Sequence, residues 1–195
     1  MPISNGVDID NTFIGKGIVK FMKRDDVDFR DLGECPEFEF TMTVDPLDYF
    51  SSRSGIRTKV RTVTKEKSAN LRIVMSELSA DNLALYLMGV ATADVAPGTT
   101  YTIDIFELTE ILGSIRFVGT NDAGAKVQFD FPNVSIRPSA SFSPISEEWG
   151  QMEITAEVLA DDTGSFGVAI WNITAEVDPG GATLNRNGAT NAVAA

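Results

Sequence analysis

Chemistry has few carriers in this chain. It contains no histidine and a single cysteine among 195 residues, which removes the commonest general base and metal ligand and with them the usual zinc constellations. Cys35 lies beside Glu34 and close to Glu37, carboxylates that disfavour a thiolate, so it is expected to be a buried or half-buried small apolar residue. Phe13-Ile14-Gly15-Lys16-Gly17 holds a Gly-x-Gly. No third glycine opens a helix there and no Gly-Lys-Ser/Thr follows, so the stretch reads as a glycine-loosened strand and not as a phosphate cradle.

Carboxylates are plentiful but poorly arranged for catalysis or cation binding. Asp25, Asp26, Asp28 and Asp31 crowd one loop, which lacks the glycine and distal glutamate of a calcium loop and carries Arg24 and Arg30 as counter-charges; a solvated acidic loop is the expectation. The neighbouring pairs Glu147/Glu148 and Asp161/Asp162 fit turns better than the opposed carboxylates of a glycosidase. Trp149 and Trp171 are assigned to core or subunit-interface packing in preference to a sugar-binding platform. No cofactor and no metal site is expected.

The charge distribution is more informative. Formal net charge is −12, which argues against nonspecific binding to nucleic acid or to an anionic membrane. Yet Arg53, Arg57, Lys59, Arg61, Lys65, Lys67 and Arg72 fall within one window opposed only by Glu66. That window is +6, so the remainder of the chain is −18. If 57–67 is an extended strand, Arg57, Lys59, Arg61, Lys65 and Lys67 share one face, interrupted by Val63, and Thr58, Val60, Thr62, Thr64 and Glu66 share the other. Ahead of it Ser51-Ser52-Arg53-Ser54-Gly55 reads as part of a loop over 47–56, longer than a tight hairpin needs.

The elements that would position these residues are mostly strands. Apolar and polar residues alternate at Phe38, Phe40, Met42 and Val44 against Glu37, Glu39, Thr41 and Thr43; at Val127, Phe129 and Phe131; and at Met152, Ile154, Ala156 and Val158. Further strands are expected over 12–20, 57–65, 69–77, 101–108, 113–120, 134–142 and 166–177. With no strand–helix–strand rhythm, the fold class is mainly β: an antiparallel β-sandwich or barrel-like domain. One flanking α-helix is predicted over about 79–89, with Ser79 as N-cap, Asp81 in the first turn and Gly89 as the left-handed C-terminal residue. Residues 1–11 and 178–195 are expected to be flexible arms around a single domain at 12–177. No apolar run is long enough for a membrane helix.

Three function classes remain at this point. They are a self-assembling structural protein, a nucleic-acid-binding module using the basic 53–72 segment, and a hydrolytic or sugar-binding β-sandwich. The second lacks aromatic residues between 51 and 72 for base stacking. The third lacks convergent carboxylates.

The order of LGECPEFEFTMTV, DYFSSRSGIRTKVRTVTKEKSANLRIVMSE, the Asn82–Gly89 helix, PNVSIRPSASFSPI and EEWGQMEITAEVLADD resembles the tail tube (major tail) proteins of long, flexible-tailed, siphovirus-type bacteriophages, over roughly 12–175. The resemblance implies a β-sandwich or barrel-like domain with a flanking helix, hexameric rings stacked into a tube, and a channel for genome ejection. It implies no enzymatic activity. The partners implied are further copies of the chain, tape-measure, tail-tip and tail-terminator proteins, and phage DNA passing without specific binding; the location implied is the virion tail, assembled in the bacterial host cytoplasm. A long loop between the second and third strands, here about Asp45–Ile56 with Arg53 at its tip, would reach an adjacent ring. The interface set is then Asp48, Tyr49, Phe50, Ser51, Ser52, Arg53, Ser54, Gly55, Arg57, Lys59 and Arg61. Glu37, Glu39, Thr41 and Thr43 are candidates for the channel wall. No appended immunoglobulin-like domain is expected after residue 178.

Overall fold

Period-two stretches become strands, and every strand pairing among the described residues is antiparallel. The computed structural model describes residues 14–53, 55–93 and 100–178; Ser54, the expected arm at 1–11, and all of the 178–195 arm except Asp178 lie outside them. In chain order the elements are β1 (Gly17–Lys23), β2 (Arg30–Asp31), β3 (Glu37–Ser51), β4 (Thr58–Met75), α1 (Ala80–Leu87), β5 (Ala91–Ala93), β6 (Tyr101–Ile103), β7 (Ile111–Gly119), β8 (Val127–Pro138), β9 (Met152–Val158) and β10 (Val168–Trp171). The main sheet runs β2-β1-β7-β8-β9-β4-β3, with β10 also pairing to β8; β5 and β6 form a separate ribbon.

Alternation puts Val19 and Phe21 of β1, Ile115 of β7, Val134 and Ile136 of β8, Ile154 and Ala156 of β9, and Leu71, Ile73 and Met75 of β4 into one buried cluster. Phe38 of β3 stacks on Phe117 of β7 with ring centroids 5.2 Å apart, and Phe40 lies 5.3 Å from Phe129 of β8. Three strands separate β3 from β7 in the sheet order. Such contacts require the twisted sheet to roll around its own core, so the expected sandwich or barrel-like mainly-β fold is what forms. No helix of the described residues is long and apolar enough to cross a membrane.

The helix starts as the sequence implies. Ser79 is extended and accepts a hydrogen bond from the Asn82 backbone N–H at 3.2 Å, and Asp81 occupies the first turn. Asn82 is buried, donating to the carbonyls of Leu32 and Glu77 and accepting from Arg30 at 2.7 Å. The end differs from expectation. Met88, and not Gly89, takes the left-handed conformation, at φ 54°. Gly89 is required for another reason: a Cβ there would stand 2.3 Å from the Asp104 carbonyl oxygen.

Other boundaries also shift. The strands expected at 57–65 and 69–77 are one strand of 18 residues, and 134–142 is the second half of β8, ended by Pro138. Only Tyr101–Ile103 of 101–108 is strand, and Phe106 adopts a positive φ of 59°. The expected loop at 47–56 contracts to a tip over 52–57. Leu47 to Ser51 are strand because each finds a partner in the β-branched start of β4. Pro46 is tolerated since β3 is the last strand of the sheet and Pro46 adjoins a register shift. The long loop between the second and third strands is therefore a β-hairpin arm between β3 and β4.

Candidate assembly surface

β9 pairs with β4 only from Ala69 onward, whereas β3 pairs with β4 as far as Ser51↔Thr58. Residues 43–51 and 58–68 therefore leave the body as a two-stranded arm. At roughly 3.4 Å per residue it reaches about 30 Å. Met42, at the last paired row of the body, and Val44, in the arm, keep the alternation of β3 but are exposed, as are Leu47, Tyr49, Val60 and Val63. A hairpin with no third strand is marginal by itself in water. One that carries apolar side chains on both faces is suited to being covered.

Two register shifts redistribute the arm's charge. Lys65 is the extra residue between the pairs Asp45↔Glu66 and Pro46↔Thr64, and Val60 between Tyr49↔Arg61 and Phe50↔Lys59. Each bulge reverses the alternation of β4 relative to β3. Lys67 consequently shares a face with Val44, Arg61 projects on the opposite face beside Tyr49, and Lys59 returns to the first face beside Phe50. The single cationic face expected from strict alternation does not form.

The cations divide again by pairing. Lys59 Nζ lies 2.7 Å from Asp48 Oδ1, and Thr62 donates its hydroxyl to the same oxygen at 2.8 Å. These two hydrogen bonds, Lys59 first, hold the Asp48 carboxyl below its ordinary pKa. Lys65 Nζ is 3.4 Å from Asp45 and 3.1 Å from Glu66. Arg53, Arg57 and Arg61 have no carboxylate partner among the described residues, although the Arg57 guanidinium stands 5.7 Å over the Phe50 ring. Of the expected interface residues, Asp48, Tyr49, Phe50 and Ser51 lie on β3, Lys59 and Arg61 on β4, and Ser52, Arg53, Gly55 and Arg57 at the tip. Ser54 is the one outside the described residues.

Glu37, Glu39, Thr41 and Thr43 occupy the solvent face of β3 where it joins the body. The row across the sheet at Glu39 reads Glu39–Arg72–Thr155–Arg137, and the row at Thr41 reads Thr41–Asn70–Glu157–Ser135. Arg72 contacts Glu37, lies 3.5 Å from Glu39 and binds Glu153 at 2.7 Å. Its pKa is raised, chiefly by the hydrogen bond to Glu153. The face is mixed: acids interleave with arginines, hydroxyls and an amide.

A buried polar cluster on the outward side of β1, β7 and β8 is not foreseen from the sequence. Arg116 is almost wholly buried; its Nε donates to Asp130 at 2.6 Å and its Nη1 to Glu176 at 2.9 Å and Asp178 at 2.8 Å. Its guanidinium also stands 4.4 Å over the Phe29 ring. Burial works against its charge, but the hydrogen bonds to the three carboxylates outweigh it and the pKa is raised. Gln128 is fully buried, donating to Asp130 and to the Val177 carbonyl and accepting from the Val177 N–H. The cluster fastens 176–178 across the sheet. Alternation against Val127, Phe129 and Phe131 implies a solvent face for Gln128 and Asp130, but both are buried, because the pairing Arg116↔Asp130 and the crossing 176–178 segment cover them.

Cys35 and Asp161 fall as their residue types suggest. Cys35 is half-buried against the core, with its thiol pushed up to about 12 by burial first and then by Asp31, Glu34 and Glu77. Asp161 accepts from the backbone of Thr163 and Ser165 and from the Thr163 hydroxyl, as a turn residue does. No group of three or more acidic or cysteine side chains among the described residues is placed to hold a metal. Trp149 and Trp171 are not in the core: both are exposed.

A family model described as "Protein of unknown function UCP028589" matches residues 12–105. None of the curated proteins matches the chain. Among solved structures the chain is similar to one from the tail of an empty GTA particle (helical refinement, C6 symmetry), at 11% identity and a TM-score of 0.41, covering 82% of this chain and 96% of that one. It is also similar to a chain from the sheath-tube complex of the PVC extracellular contractile injection system in the extended state, at 15% identity and a TM-score of 0.39, covering 86% and 93%. A third, from the sheath/tube terminator of the same system, has 15% identity and a TM-score of 0.39, with 87% and 99% covered.

Proposed function

We propose that this chain is a structural tail tube protein of the siphovirus type, assembling into stacked hexameric rings whose channel conducts the genome at ejection, with no catalytic role. The observation that carries the reading is the β3–β4 arm, which leaves the body while exposing Leu47, Tyr49 and Val63. Covering a large apolar side chain contributes about 1.5–3 kcal/mol, so a handful of such residues on another copy is a sufficient drive for association. The sequence resemblance to tail tube proteins supplies the ring symmetry, the tape-measure, tail-tip and terminator partners, and the location in the virion.

Channel function follows from electrostatics. DNA in transit must not adhere, and a wall of hydroxyls and carboxylates such as Glu37, Glu39, Thr41 and Thr43 keeps water between protein and phosphate. Repulsion beyond roughly 8 Å is screened at physiological salt. The cationic arm offsets the mutual repulsion of subunits that each carry −12. Electron microscopy of the purified protein tests the reading: rings or tubes are expected, and a homogeneous monomer at all concentrations overturns it.

A nucleic-acid-binding role is favoured by one observation. Strand pairing sets Tyr49 opposite Arg61 and Phe50 opposite Lys59, so aromatics do stand beside cations although the linear order separates them. Tight, steeply salt-dependent binding of a single-stranded oligonucleotide by protein that forms no tubes would select this reading.

A further inference from the structure

The link between β8 and β9 carries an exposed patch opposite in charge to the arm. Its base is anchored: Phe142 packs edge-on against Tyr86 at 6.0 Å, and the Tyr86 hydroxyl donates to the Ala140 carbonyl at 2.6 Å. Beyond Phe142 every residue to Gly150 is exposed. Ile145 is 96% and Trp149 94% accessible, with Glu147 and Glu148 between them and in no ion pair among the described residues.

Topology places this loop and the arm at opposite ends of the molecule. Met152, which follows the loop, pairs with Met75 at the end of β4, whereas the arm is the beginning of β4, with Thr58 opposite Ser51. From Val63 in the arm's apolar patch to Met75, β4 runs on for twelve residues, about 40 Å at roughly 3.3 Å per residue. Within one chain the two cannot meet.

We infer that the 143–149 loop is the acceptor for the arm of a second copy: Trp149 and Ile145 cover the Leu47, Tyr49 and Val63 patch, and Glu147 and Glu148 face Arg57 and Arg61. The two surfaces match in both respects that matter. Each offers exposed apolar side chains, and each offers charges, of opposite sign, with no ion-pair partner among the described residues. Because the complementary patches sit at opposite ends, the contact is head-to-tail and leaves both outer patches available, so it propagates into a stack and does not close as a dimer. This assigns the receiving surface for the arm and rests on the tube-forming reading above.

The test uses full-length variants that alter only exposed side chains, each checked for an unchanged thermal unfolding midpoint. Glu147→Lys with Glu148→Lys, Arg57→Glu with Arg61→Glu, and Trp149→Ala are each expected to raise the protein concentration at which tubes appear by at least about tenfold. The fourfold variant, with both patches reversed, is expected to regain tubes at near the wild-type concentration. Loop variants that assemble like wild type, or a fourfold variant that does not recover, overturn the inference and leave the tube reading intact. Wild-type protein that never assembles overturns that reading first.

Discussion

At Arg116 one guanidinium satisfies Asp130, Glu176 and Asp178 at once. Removing it strands Asp130 in a buried position without a cation, and losing one partner of a buried pair costs about 3–5 kcal/mol. Arg116→Ala is therefore expected to lower unfolding free energy by about that amount in urea titration. Lysine restores only part of it, since an ammonium cannot fork between acceptors. The same cluster sets a pH dependence. Glu176 is held below its ordinary pKa, first by its hydrogen bond to Lys20 and also by Arg116, against the effect of burial. A carboxylate depressed in the folded state stabilises fully above its unfolded value, about 4.3, and loses that contribution as pH falls through the folded value. Thermal midpoints should fall on acidification below about pH 5, and Glu176→Gln should flatten that fall by lowering stability at neutral pH.

On the scale of elements, the arm is separable from the body. The buried cluster draws on β4 only from Ala69 to Met75, and on β3 through Phe38 and the Phe40 ring that lies against Phe129 and Phe131, all outside the arm. Replacing residues 44–67 by an Asn-Gly turn joins Thr43 to Ser68, which already face one another in register. The shortened protein is expected to unfold cooperatively within a few degrees of the wild-type midpoint while forming no tubes; a molten body would show that the arm supports the fold. Much of this element was legible. The alternation of β3 and the β-branched residues of β4 were in plain view, and so was the Ser79 cap. The stretch from Leu47 to Ser51 was not, because Pro46, Asp48 and Ser51 are turn-forming residues whose strand conformation depends on pairing with the start of β4. The helix C-terminus was hidden for a similar reason: Gly89 has the residue type of a C-cap, but its demand comes from Asp104, which tertiary structure brings alongside.

Over the whole molecule, charge segregation becomes polarity of shape. An arm bearing Arg53, Arg57 and Arg61 extends from one end of β4 and an acidic, aromatic loop lies at the other. Replacing those three arginines with glutamate is expected to leave a folded monomer by circular dichroism and to abolish tubes by electron microscopy; tubes of normal length would refute a cationic docking role. Raised salt should weaken assembly without unfolding the protein, because the Debye length shortens from about 8 Å to about 3 Å at 1 M.

The sequence by itself determined the strand-rich antiparallel class, the capped helix, the absence of histidine-based chemistry and the concentration of positive charge at 53–72. These follow from composition and from periodicities of two and 3.6, which are local properties of a chain. Tertiary structure alone decided which cations share a face, since single-residue bulges at Lys65 and Val60 reverse alternation and are defined only against β3. It alone decided that Arg116 and Asp130 form one cluster. It also decided that the acidic loop and the basic arm stand at opposite ends of one strand, because strand pairing joins residues distant in sequence and strand length then holds others apart.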